Sequence, residues 1–245
     1  MHRLLVETEQ LQSNAPSLSK EAQNHLRVLR PKEGESVELF DGKGCWRVFS
    51  FHRGAANGNG GLVPVTDLQM LAHPSVSLTL FACVTKGSRW DWTIEKATEL
   101  GLTRLIPVIS DRTIVRIPSN ERASKLDRWR RIVEDAARQS DAKWLPEVLA
   151  PITFAESLEL VRTTECLVGA LMTPPPRPIG EVLADIGMGH DFAVYVGPEG
   201  DFTPQELATL LEIARPVSFG TTILRAETAA IYGLSAVKAH LDCLA

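Results

Sequence analysis

The sequence predicts an α/β chain in two domains, a small β-barrel over residues 1–72 and then an α/β domain with a parallel sheet over residues 73–245. Three observations carry this. Short alternating segments separated by glycine-rich turns fill the amino-terminal third. Longer, continuously apolar runs fill the rest, as expected for parallel strands buried on both faces. Between the two patterns, Leu71-Ala72-His73-Pro74-Ser75 has the composition of a linker.

In the first domain, Arg3 to Glu7, Ser36 to Phe40, Trp46 to Phe51 and Gly61 to Thr66 read as strands. Asp41-Gly42-Lys43-Gly44 is an Asp-Gly hairpin turn, and Asn57-Gly58-Asn59-Gly60-Gly61 a looser one. One helix runs from Ser19 through Leu26 and ends before Pro31. In the second domain the predicted strands are Val76 to Val84, Leu105 to Ser110, Cys166 to Ala170, Phe192 to Val196 and Val217 to Phe219. Helices are predicted from Trp92 to Leu100, closed by Gly101, around Ser124 to Ser140, and from Ala226 to Leu244. Thr203-Pro204-Gln205-Glu206 supplies a threonine N-cap, proline at N1 and glutamate at N3, a capping box for one further helix.

Composition narrows the function classes. The net charge of -4 and the ordinary apolar content exclude a disordered tail or a fibrous rod. No apolar stretch approaches the length of a membrane span, and the amino terminus, with Glu7 after a very short apolar run, does not read as a signal. Cys45, Cys83, Cys166 and Cys243 form no Cys-x-x-Cys pair, and the six histidines lack ligand spacing, so the expectation is a reducing cytoplasm and no metal. Charge is uneven. Arg112, Arg116, Arg122, Lys125, Arg128, Arg130 and Arg131 make one positive stretch, of the kind that meets phosphate or simply faces solvent.

Chemistry concentrates between Val196 and Ala229. Val196-Gly197-Pro198-Glu199-Gly200-Asp201-Phe202 leaves a buried strand and enters the capped helix, placing it at a strand's carboxyl end, where α/β sheets bind ligands. Its glycines let bare backbone approach a ligand, and its proline limits motion. Ser218-Phe219-Gly220-Thr221-Thr222-Ile223-Leu224-Arg225 repeats the arrangement and enters the last helix. Taken singly, the first loop reads as a β-turn and Arg225 with Glu227 as a surface ion pair. Together, in this order, they read as a crevice. No Gly-x-Gly-x-x-Gly follows the first strand of this domain, so an ordinary Rossmann site is not supported.

Gly197-Pro198-Glu199-Gly200 followed by Ile223-Leu224-Arg225-Ala226-Glu227-Thr228-Ala229 resembles the signature of the RsmE family of 16S rRNA uridine-N3 methyltransferases. Lys96-Ala97-Thr98-Glu99-Leu100-Gly101, Arg112-Thr113, Gln139-Ser140 and His25-Leu26-Arg27-Val28-Leu29-Arg30 extend the likeness through most of the chain. The chain departs from the family pattern at Asp201, where a second glycine is usual, at Arg138, where a glutamate is usual, and at Asp141-Ala142-Lys143, where Gly-Arg is usual. The resemblance implies a PUA-like RNA-binding barrel, a SPOUT methyltransferase domain with a trefoil knot, a cytoplasmic homodimer, and S-adenosylmethionine as cofactor.

It also implies roles. The cofactor would lie against Leu171, Val196, Gly197, Pro198, Glu199, Gly200, Ser218, Phe219, Gly220, Ile223, Leu224 and Ala226. Methylation at N3 requires an unpaired base that has lost a proton, and Arg225 is the candidate to stabilise the resulting imidate. Glu199 or Glu227 would accept the proton or orient Arg225, a choice the sequence leaves open. His25, Arg27, Arg30, Arg112 and Arg138 are the candidates for 16S rRNA, and charge reversal at Arg112 is expected to weaken RNA binding without touching the cofactor. Two alternatives stand beside this reading: a SPOUT methyltransferase acting on another rRNA or tRNA nucleotide, and a non-catalytic RNA-binding protein of the same fold.

Overall fold

A computed structural model describes residues 1–53, 61–162, 164–187 and 189–244. The expected turn at Asn57 to Gly60 lies outside the described residues. The chain divides into two units, Met1–His73 with Ala137–Leu145, and Pro74–Ala136 with Pro146–Ala245.

The first unit contains β1 (His2–Leu5), α1 (Thr8–Gln12), α2 (Lys20–Leu29), β2 (Ser36–Phe40), β3 (Cys45–His52), β4 (Gly61–Pro64) and β5 (Gln69–Met70). β1 lies parallel to β2, β3 is antiparallel to β2, and β4 and β5 both pair antiparallel with β3. Helix α1 and strand β5 are too short to show in the hydrophobic pattern. The turn between β2 and β3 forms because Asp41 Oδ1 accepts from the amides of Lys43 at 2.8 Å and Cys45 at 3.0 Å. Gly42 takes φ +69° there, and a Cβ on it would sit 2.6 Å from Leu145. Helix α2 starts where Ser19 Oγ accepts from the Ala22 amide and stops at Arg30, in the left-handed region just before Pro31. It delivers Leu26 to a core of Leu4, Leu11, Val37, Leu39, Phe49, Phe51 and Leu62.

Residues 137–145, which a single cut after residue 72 assigns to the second domain, pack with the first unit instead. The reason is electrostatic. Glu38 on β2 is only 3% exposed, and its carboxylate is met by Lys143 Nζ at 2.6 Å and Arg3 Nε at 3.3 Å. Asp141 closes the group, at 2.6 Å from Lys143 and 2.9 Å from Arg3. A carboxylate buried without such partners is strongly destabilising. Trp144 Nε1 adds bonds to the carbonyls of Leu71 and Ala72.

The second unit continues with β6 (Leu78–Cys83), α3 (Ser88–Glu99), β7 (Arg104–Ile109), α4 (Arg122–Ser140, whose last turn packs with the first unit), β8 (Glu147–Val148), β9 (Ile152–Thr153) and α5 (Phe154–Val161). Then come β10 (Glu165–Gly169), α6 (Ile179–Ala184), β11 (Phe192–Val196), α7 (Pro204–Leu211), β12 (Arg215–Val217) and α8 (Ala226–Leu244). The sheet is parallel throughout, in the order β12-β10-β11-β6-β7-β8, with β9 also on β7. Every residue of β6 and β11 is buried, as their unbroken apolar runs predict. The capping box at Thr203 forms as expected, with Glu206 Oε2 accepting from the Thr203 amide at 2.9 Å. A second one, Thr153 with Glu156, starts α5, an element the periodicity alone does not reveal.

Register positions the site. Val196 lies opposite Gly169 on one side and Ala82 on the other, and Gly169 lies opposite Val217. The carboxyl ends of β12, β10, β11 and β6 are therefore level, and their exit loops leave the sheet side by side. Helix α8 packs against α3, β6 and β11. It approaches β11 closely at Gly233, where a Cβ would come within 2.7 Å of Val194.

Candidate active site

A cavity of about 300 Å³ opens at the carboxyl ends of β10, β11 and β12, within the size range of small-molecule sites. Gly169, Val196 and Val217 form its base, and the loops that follow them form its walls. Leu171, Val196, Gly197, Pro198, Glu199, Ser218, Phe219, Gly220, Ile223, Leu224, Arg225 and Ala226 all line it. So do Gly169, Ala170, Asp201, Val217, Thr222 and Ala229, which were not among the expected contacts. Gly200 does not line it. Its carbonyl accepts from Arg112 Nη1 at 2.9 Å, which also reaches the carbonyl of Phe202 at 3.2 Å.

The first loop is shaped from within. The Asp201 amide donates to the Pro198 carbonyl at 2.9 Å, closing a turn. Asp201 then adopts φ +58°, the left-handed conformation that glycine enters most easily. Its own Oδ1 accepts from the Phe202 amide at 2.8 Å, a local bond of the kind that lets aspartate occupy such positions. Asp141, the other position where the resembling family carries glycine, has φ +65°. At Gly197 the absent side chain serves packing, since a Cβ would stand 3.0 Å from the Phe202 ring.

The second loop is held by Phe219. Its ring lies over Gly169, where a Cβ would come within 2.3 Å, and beside Gly233, where one would come within 3.2 Å. Tyr232 packs on it at 5.4 Å between ring centroids. Ser218 is fixed by backbone bonds in both directions, its amide to Arg177 at 2.9 Å and its carbonyl from Ile179 at 3.1 Å. Gly220 follows with φ +110°, which L side chains rarely adopt.

The surface ion pair that Arg225 and Glu227 suggest when taken singly does not form. Glu227 faces Arg89, Oε1 to Nε at 3.8 Å, and Arg89 Nη1 also lies 3.7 Å from Glu199 Oε1. Glu227 is outside the cavity lining, whereas Glu199 and the exposed Arg225 are part of it. Arg89 stands in no recognisable motif. It comes to the site because β6 neighbours β11, a relationship that exists only once the sheet has formed.

The expected RNA contacts separate. His25, Arg27 and Arg30 are on or at the end of α2, and Arg27 and Arg30 line a recess of about 300 Å³ with Arg53, Leu26, Pro31 and Phe51. Arg138, at the end of α4, receives a bond from Arg3 on its carbonyl. Arg112 braces the loop after β11 through its bonds to the Gly200 and Phe202 carbonyls. Within the positive stretch, Arg128 pairs with Asp91 and Arg130 with Asp127. Among the described residues no cluster of His, Cys, Asp or Glu is arranged to hold a metal ion, and no helix is long and apolar enough to cross a membrane.

Comparison with known proteins gives a consistent picture. The model of an RNA methyltransferase domain matches residues 72–238. The chain is 35% identical, over 98% of its length and 78% of the relative's, to ribosomal RNA small subunit methyltransferase E of Synechocystis sp.. It is 26% identical over its whole length to the protein of the same name from Bacillus subtilis, of which it covers 98%. Its fold matches the crystal structure of ribosomal RNA small subunit methyltransferase E from Neisseria gonorrhoeae bound to S-adenosyl methionine, with a TM-score of 0.80, 29% identity, and 98% and 97% of the two chains covered. A putative methyltransferase from Legionella pneumophila, in complex with the same cofactor, matches with a TM-score of 0.79 and 26% identity, again over 98% and 97% of the chains.

Proposed function

This chain belongs to the ribosomal RNA small subunit methyltransferase E family, and on that premise we propose that it methylates N3 of a specific uridine in 16S rRNA, using S-adenosylmethionine. The observation that carries the reading is the cavity at the ends of β10, β11 and β12, whose lining suits that ligand. Apolar side chains and bare backbone from Gly197, Gly220 and Ile223 offer a bed for a purine. The carboxylate of Asp201 matches the ligand's positive charge, Glu199 also lines the cavity, and Arg225 is available to an anion.

When bound, S-adenosylmethionine supplies an electrophilic methyl group. The chain's residues must present uracil N3 in line with it and manage one proton. Arg225, exposed at the cavity and bearing a guanidinium, stabilises the imidate that forms when N3 is deprotonated. Glu199 and Glu227 are the carboxylates at hand for that proton or for positioning.

The finer architecture follows the same reading. Residues 1–72, joined by 137–145, form a PUA-like RNA-binding barrel, and the rest of the chain a SPOUT domain. A knotted carboxyl-terminal path belongs to the same reading. Leu171 and Ile223, 61% and 79% exposed at the cavity rim, support a homodimer that covers them. RNA meets His25, Arg27, Arg30, Arg112 and Arg138, and an rRNA substrate fits a cytoplasmic enzyme. The test is nucleoside mass spectrometry of 16S rRNA from a strain lacking this protein. Loss of 3-methyluridine is expected, and its persistence would sink the assignment.

A further inference from the structure

Resting on the methyl-transfer reading, we infer that Arg89 is a positioning residue that holds Glu199 as the proton acceptor for the reacting base, with Glu227 as its buried anchor. Three side chains are linked in series, with Arg89, itself 48% exposed, between the two carboxylates. Glu227 is 11% exposed, its Oε2 is buried with no hydrogen-bond partner, and it does not line the cavity. Arg89, at the start of α3, faces Glu227 through Nε at 3.8 Å and Glu199 through Nη1 at 3.7 Å. Glu199, 28% exposed, does line the cavity.

Each part has a physical reason. Glu227 sits in the first turn of α8, where the helix dipole favours an ionised carboxylate. Two carboxylates with no cation between them would repel. A planar guanidinium addresses both at once, which a point charge does less well. The distances exceed those of direct hydrogen bonds, so the attraction is chiefly Coulombic and leaves Glu199 oxygens free to accept. The N3–H bond then breaks, an O–H bond forms on Glu199, and the electron pair left on N3 receives the methyl group as the donor departs as a neutral thioether. Arg225 remains for the anionic oxygens of the base.

The experiment uses full-length protein carrying Arg89→Met, Arg89→Lys and Glu199→Gln, singly and with Arg89→Met and Glu199→Gln combined. S-adenosylmethionine affinity is measured by calorimetry, and kcat and KM on 16S rRNA substrate. Arg89→Met is expected to lower kcat about 10²-fold, as for loss of an effective general base, with cofactor affinity and KM changed less than about threefold. Arg89→Lys recovers at least part of kcat. In the Glu199→Gln background, Arg89→Met adds no more than about twofold, because both changes remove one function. An undiminished effect of Arg89→Met in that background, or a loss of kcat that follows a loss of cofactor affinity, overturns the role of Arg89. Failure of the unaltered protein to bind S-adenosylmethionine overturns the methyl-transfer reading instead.

Discussion

The Phe219 ring occupies the space a side chain on Gly169 would need: a Cβ there would lie 2.3 Å from Cε2 of the ring. The last residue of β10 thus sets the position of a cavity wall on the loop after β12. Gly169→Ala must push the ring away or shift the strand, at a cost of about 1–3 kcal/mol. The melting temperature is expected to fall, and S-adenosylmethionine affinity to fall roughly tenfold, both read from thermal denaturation with and without ligand.

Arg112 ties the loop after β7 to the loop after β11 through the Gly200 and Phe202 carbonyls. Arg112→Met removes two charge-assisted bonds at a solvent-exposed site, so the effect on global stability is small. Cofactor dissociation constants measured by calorimetry are expected to rise about three- to tenfold. An unchanged constant would mean the loop holds its shape without the brace.

Asp201 combines a left-handed backbone with a side-chain bond to the Phe202 amide. Asp201→Gly exchanges about 1 kcal/mol of backbone strain for a bond of about the same worth, leaving the melting temperature nearly unchanged. Asp201→Ala loses the bond and keeps the strain, so it is the destabilised member of the pair. Both remove a carboxylate from the cavity lining and are expected to weaken cofactor binding similarly.

Burial raises the Asp141 carboxyl, but the Lys143 ammonium and the Arg3 guanidinium beside it outweigh that and hold its pKa below the ordinary aspartate range. A depressed folded-state pKa adds stability that is present above the unfolded value, near pH 4, and is lost as pH falls through the folded value. Unfolding midpoints of the native protein and Asp141→Asn are therefore expected to differ at pH 7 and to converge below pH 4. A constant difference down to pH 3 would rule this out.

Arg30 holds a left-handed backbone at the end of α2 and shares its recess with Arg27 and Arg53. Arg30→Ala is expected to weaken RNA binding uniformly across sequences and to reduce the slope of log affinity against log salt by about one, as for loss of one phosphate contact. Filter binding across a salt series measures both. An unaltered slope would remove Arg30 from the RNA surface.

Much of this was legible in the sequence because local physics decides it. The Asp41 side-chain bonds of the first hairpin and the Thr203 capping box are made between neighbouring residues, and the unbroken apolar runs of β6 and β11 mark strands buried on both faces. The loops after β11 and β12 could be read as a crevice because a strand end and a glycine mark each one. Arg89 could not be read, since only the adjacency of β6 and β11 brings it to Glu199. The bonds Arg112 makes are hidden for a related reason: a surface arginine in a basic stretch looks the same whether it meets phosphate or a carbonyl of its own chain. Residues 137–145 escaped a boundary drawn from composition, because the buried Glu38 that holds them lies a hundred residues earlier.

That pairing has a bearing on biosynthesis. As the chain emerges from the ribosome, β1 and β2 are complete long before Lys143 exists, so Glu38 waits for its ammonium partner until most of the second unit's first half has been made. The amino-terminal unit is thus finished late although it is encoded first. A fragment ending at His73 would leave Glu38 without that partner, and cutting the gene at the apparent linker would separate a short closing segment from the unit it completes.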